Sequence, residues 1–162
     1  MRYAIRDFPA DKYCRSQLAA LLRDIEREDE AEILLRDSMR AFPRDVVCRT
    51  QLADLWQASG KLDAAETLLR EIIERLAPNL ISFVLLARVH ARKAQKAQHT
   101  SHTGEPVSGL KKALDVIGKA LRINRRNTGA LDAQTRIKSV ARQLEVDDFA
   151  VGRFTKCLGA CV

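Results

Sequence analysis

The 162-residue chain is predicted to be an all-α solenoid of helical hairpins. Three observations carry that expectation. Residues 6–36 and 40–70 repeat in step at an offset of 34, with 16 of the 31 paired positions identical. Phe8-Pro9 returns as Phe42-Pro43, Gln17-Leu18-Ala19 as Gln51-Leu52-Ala53, and Leu34-Leu35-Arg36 as Leu68-Leu69-Arg70. A fixed period of this length marks supersecondary units that stack to bury a shared core. Aromatic residues are scarce at 5%, while Ala, Leu, Arg and Glu dominate. Such side chains lose little freedom in a helix. Finally, apolar positions recur at the helical spacing and are broken by Gly and Pro where helices stop.

Residues 1–10 form a lead-in or the remnant of a preceding repeat, since Arg6-Asp7-Phe8-Pro9 matches a repeat's end. The first repeat spans about 12–45. Its helix A carries Cys14, Leu18, Leu21 and Leu22 on one stripe, and Asp24–Glu30 is polar and expected as a loop. Ala31, Ile33, Leu34 and Ser38 then line helix B, which Pro43 closes. The second repeat, 46–79, has Leu52, Leu55 and Trp56 on helix A, Gly60 at the turn, and Leu62, Ala65, Leu68, Leu69, Ile72 and Ile73 on helix B. Gly just past one helix and Pro beyond the next are ordinary stop signals.

This arrangement resembles the tetratricopeptide repeat (TPR). Leu52, Ala53, Trp56, Gly60, Ala65, Leu69, Ile72 and Pro78 match its packing, turn and terminal sites, with Pro78 one place late. In the first copy Leu18, Ala19, Leu22, Ala31, Leu35 and Pro43 match, while Glu26 replaces the turn Gly and Ser38 a small apolar residue. The resemblance implies a right-handed α-solenoid of three to four such hairpins over residues 11–144. A third repeat runs over 80–127, with Leu86, Ala87 and His90 on helix A and Leu110, Ala113, Val116, Ile117, Ala120 and Leu121 on helix B. Asn127 closes it, and a 14-residue insertion, 94–107, interrupts it. Ala94–Gln98 can prolong helix A, whereas His99–Pro106 is turn-rich and expected as a loop. A partial repeat, 128–144, uses Leu131, Ile137, Val140 and Leu144. The tail, 145–162, is an atypical capping or docking helix, capped by Asp147 or Asp148 and lined by Val151, Phe154, Leu158 and Cys161.

Charge is divided unevenly. Residues 1–79 carry 13 basic and 15 acidic side chains, a net of −2, and residues 80–162 carry 15 and 6, a net of +9. Such asymmetry points to an anionic partner for the second half. No apolar run approaches the ~20 residues of a membrane span. Cys14 and Cys48 hold equivalent places in apolar stripes, which suits thiols in a reducing compartment and a cytoplasmic protein.

No catalytic constellation is present: the chain has no P-loop, nucleophile elbow or dinucleotide glycine pattern, so a non-enzymatic protein without cofactors is expected. His99 and His102 lie in a polar segment with no third ligand, His90 sits at a packing position, and Cys157 and Cys161 are apolar helix residues. The resemblance implies that helix A lines a concave groove for a peptide, placing Tyr13, Arg23, Val47, Asp54, Val84, Arg88, Arg92 and Arg136 on it. Some relatives clamp a chaperone's C-terminal carboxylate with Lys and Asn at two of these sites. Ser16, Ala20, Thr50 and Asp54 stand there here, which argues against that role. An adaptor holding a protein segment with a few acidic residues is the expected function, since guanidinium groups pair with carboxylates in a partly desolvated cleft. Two alternatives stand beside it. Lys111, Lys112, Lys119 and Arg122 share the polar side of the third helix B and would suit a nucleic-acid backbone. The stripe of the C-terminal helix would otherwise pair two copies of the chain.

Overall fold

The computed structural model describes residues 11–76, 79–98 and 105–143. The lead-in, the tail with Val151, Phe154, Leu158 and Cys161, Leu144, and His99 and His102 lie outside the described residues. All regular elements among the described residues are α-helices: α1 (Lys12–Asp24), α2 (Glu28–Ala41), α3 (Val46–Ala58), α4 (Leu62–Arg75), α5 (Leu80–Gln98), α6 (Glu105–Ile123) and α7 (Thr128–Gln143). The chain divides into two units, Met1–Ala77 and Pro78–Val162.

The start of each helix A is fixed by one side chain in repeat register. Asp11 Oδ1 accepts from the Tyr13 and Cys14 backbone N–H groups at 2.8 and 3.4 Å. Asp45 Oδ2 accepts from Cys48 N–H at 3.0 Å, and Asn79 Oδ1 from Ser82 N–H at 2.8 Å. Asn127 Oδ1 accepts from Ala130 N–H at 2.9 Å, so Asn127 opens α7 rather than merely ending the third repeat. Each such cap satisfies an otherwise orphaned donor and stabilises by about 1 kcal/mol.

In the first unit α1 pairs with α2 and α3 with α4, while α2 and α1 both pack on α3. Ala19, Ala31, Leu35, Leu52, Ala53, Ala65, Leu69 and Ile72 are fully buried. The small residues recur in register and let helix axes approach closely. Two expectations change on α2. Glu28, Asp29 and Glu30 belong to its first turn, not to a loop, because acidic side chains there face the positive end of the helix dipole. The buried stripe is Ala31, Leu35 and Ser38, whereas Ile33 is 61% exposed. Ser38 is accommodated because its Oγ donates to Leu34 O at 2.7 Å.

The two hairpin turns share one geometry despite different residues. Arg27 N–H donates to Leu22 O, and Lys61 N–H to Trp56 O, both at 2.8 Å. The residue before each donor is left-handed: Gly60 at φ 79° and Glu26 at φ 59°. Glycine adopts that conformation without penalty, while a side chain there costs about 1 kcal/mol. Glu26→Gly is therefore expected to stabilise the chain by about 1 kcal/mol and Gly60→Glu to destabilise it similarly. Urea unfolding midpoints with unchanged m-values would check both signs.

A charged cluster joins the repeats of the first unit. Glu32 accepts from Lys61 Nζ at 2.8 Å and from Arg36 at 2.7 Å, and the Arg36 guanidinium lies 5.4 Å from the centroid of the Trp56 ring. The Lys61 hydrogen bond, aided by Arg36, holds the Glu32 carboxyl down at about 2 from an ordinary 4.5. A depressed carboxyl stabilises the fold above its unfolded pKa and loses that contribution as pH falls through the folded one. Glu32→Gln should thus cost about 2 kcal/mol above pH ~5, after allowing for solvent screening of the half-exposed cations. The deficit should shrink between pH ~4.5 and ~2. Denaturation of both proteins across that range is the measurement.

In the second unit α5 pairs with α6, and α7 packs on both. The described residues of the insertion, 94–98 and 105–107, are helical. α5 and α6 each have 19 residues, against 13 in α3 and 14 in α4. Glu105 and Pro106, expected in a loop, begin α6, where a proline in the first turn forfeits no helical hydrogen bond. On α7 the buried positions are Ala130, Ala133, Ile137 and Val140, whereas Leu131 is 42% exposed.

Candidate functional site

The helix-A positions expected to bind fall into two sets, one per unit. On the first unit, Tyr13 and Val47 occupy the same register near the starts of α1 and α3 and are 69% and 50% exposed. Ile81, next in that series on α5 of the second unit, is exposed too. Large apolar side chains left in water at a recurring position are candidate contact points. One turn further in, Ser16 and Thr50 are buried. Thr50 Oγ1 is within hydrogen-bond reach of Val46 O (3.0 Å) and Val47 O (2.8 Å), so its hydroxyl is spent on its own helix.

Arg23 and Asp54 come together directly. The guanidinium NH2 donates to Asp54 Oδ2 at 2.9 Å and ties α1 to α3. A pair this exposed adds about 0–1 kcal/mol of stability, so its larger consequence is electrostatic. It cancels charge on this face and leaves the first unit little to offer an anionic ligand.

The second unit differs. Arg88 on α5 and Arg136 on α7 hold equivalent repeat positions on helices that pack together. Arg88 is half-buried, and its Nε is buried with no hydrogen-bond partner among the described residues. A buried donor left unpaired is costly, and guanidinium donors form their strongest bonds with carboxylates. Arg92 and Arg136 are exposed. Val84, expected as an apolar groove contact, is instead buried, at 8% exposure, because α5 is covered around its whole circumference from Ser82 to Ala87. Helical spacing alone assigns Val84 to one face and cannot show that all faces are covered there.

His90 is buried within α5, as its packing position led one to expect. Among the described residues no three His, Cys, Asp or Glu side chains are grouped to hold a metal ion. Cys14 and Cys48 are free thiols. The Cys14 Sγ donates to Asp11 Oδ2 at 3.1 Å, and burial, followed by Asp45, pushes the Cys48 thiol up to about 11. Both are thereby held protonated and poorly nucleophilic. Cys157 and Cys161 lie outside the described residues. No described helix is long and apolar enough to cross a membrane. Lys111, Lys112, Lys119 and Arg122 all stand exposed on α6.

No family model matches the chain, and no curated protein matches its sequence. Its fold is nonetheless found among solved structures. The crystal structure of TTC0263, a thermophilic TPR protein of Thermus thermophilus, superposes with a TM-score of 0.67. That similarity covers 92% of this chain and 84% of the other at 18% identity. The chain thus has a TPR-like all-α fold, and at this identity the likeness extends to fold alone.

Proposed function

We propose that the chain is a non-enzymatic, cofactor-free adaptor of the cytoplasm that binds a protein segment carrying acidic residues along its helix-A surfaces. The observation carrying this reading is the set of three guanidiniums on the second unit, with Arg88 half-buried and Arg92 and Arg136 exposed. Carboxylates of the bound segment form charge-assisted bonds with these guanidiniums. Ile81 supplies an apolar contact on that unit, and Tyr13 and Val47 form a separate apolar surface on the first unit. The acidic anchor belongs to the second unit, because Arg23 of the first is already engaged by Asp54. Preformed helical hairpins keep the ordering cost of binding low on the protein's side.

An array of peptides of graded acidity, probed with the full chain, tests the proposal. Peptides with Asp or Glu flanked by apolar residues should be retained, and Arg88→Gln should weaken them more than tenfold, the scale of one charged hydrogen bond in a partly desolvated site. Retention that ignores peptide acidity, or survives in Arg88→Gln/Arg92→Gln, would overturn it.

A further inference from the structure

The outward face of α6 is unlike its counterparts in the first unit. The offset between α4 and α6 is 48 residues, and it superimposes one buried stripe on the other: Leu62, Ala65, Leu69 and Ile72 become Leu110, Ala113, Ile117 and Ala120, all buried. In that register Lys111, Lys119 and Arg122 replace Asp63, Glu71 and Glu74. Solubility requires charge at these positions but not a change of its sign. With Lys112, the three cations span about 100° of the helix circumference, all exposed, at 100° per residue. Lys119 pairs with Asp115 at 3.1 Å, whereas Lys111, Lys112 and Arg122 have no ion-pair partner among the described residues.

We propose that this face of α6 docks on the phosphodiester backbone of nucleic acid without reading its bases. The chemistry excludes close alternatives. An acidic protein partner would need buried apolar anchors, and Ile123, at the edge of the arc, is the one large apolar side chain exposed among the described residues of α6. An anionic membrane would need an apolar stripe to insert, and that of α6 is already packed into the protein core. Phosphates need only point charges. Base reading by stacking needs an exposed aromatic, and Phe83, the sole aromatic among the described residues of this unit, is buried.

The full chain should be titrated into two labelled DNA duplexes of unrelated sequence and about 20 base pairs, with anisotropy read at several salt concentrations. Three unpaired cations predict a slope of log K against log salt near −3, hence about 40-fold weaker binding at 200 than at 50 mM. Both duplexes should bind alike. Lys111→Gln/Lys112→Gln/Arg122→Gln, at exposed positions, should bring the slope towards zero, while Arg88→Gln/Arg92→Gln on α5 retains the duplex. The proposal fails if no duplex binds at ~50 mM salt, or if one sequence is strongly preferred. It fails equally if both variants lose binding alike, or if polyglutamate or anionic vesicles are held more tightly than DNA. Because the α5 variant is the one that tests peptide binding, the two proposals can fail separately.

Discussion

Leu35→Ala is expected to destabilise the chain by about 3 kcal/mol, and Ile33→Ala, two residues earlier on the same helix, by less than about 0.5 kcal/mol. Both residues are branched aliphatics that truncation shortens by comparable amounts, so residue type alone predicts no such gap. Leu35 is fully buried, and its removal leaves a cavity between helices that cannot collapse fully. Ile33 points to water, where truncation removes little contact and Ala improves helix propensity by a few tenths of a kcal/mol. Urea unfolding followed by Trp56 fluorescence and by circular dichroism measures both, with the sole tryptophan reporting on the unit that contains α2. Comparable losses at the two positions would show that the α2 stripe is rotated from the one described.

That pair of residues also marks how far the sequence reaches. The exact offset of 34 makes the helical hairpins legible, because identical residues at equivalent positions must meet equivalent neighbours. Helix ends are legible where one residue suffices, as Gly60 does. The face of a helix is less so when apolar residues adjoin, as in Ile33-Leu34-Leu35, since each of the three can head a plausible 3.6-residue stripe. Glu26 holds a glycine conformation that its identity does not announce. At the candidate site, charge and register indicated Arg88 and Arg136, but side-chain depth is a tertiary property. The exposure of Tyr13, the burial of Val84 and the burial of the Arg88 Nε depend on what surrounds each helix, which spacing within one helix does not contain. The Arg23–Asp54 pair joins residues 31 apart, and only packing of α1 on α3 brings them together.

Gly109→Leu should destabilise the second unit by about 2 kcal/mol even though leucine is the better helix former by nearly 1 kcal/mol. The reason lies in the insertion that lengthens α5 and α6. A Cβ built on Gly109 would stand 3.1 Å from Ala94 Cβ and 3.4 Å from the His90 carbonyl oxygen. The first contact is tighter than packed carbons tolerate, and neither neighbour is the end of a flexible side chain, so relief requires the helices to separate. Separation would strip contacts from Ala91 and Ala94, which are buried along the same stretch of α5. Gly109→Ala makes the control: its gain in helix propensity and the mild crowding oppose one another, leaving stability within about 0.5 kcal/mol of the parent. A Gly109→Leu protein as stable as the parent in urea would mean that the lengthened helices do not touch there, and that the inserted residues extend α5 and α6 without adding to the packed interface.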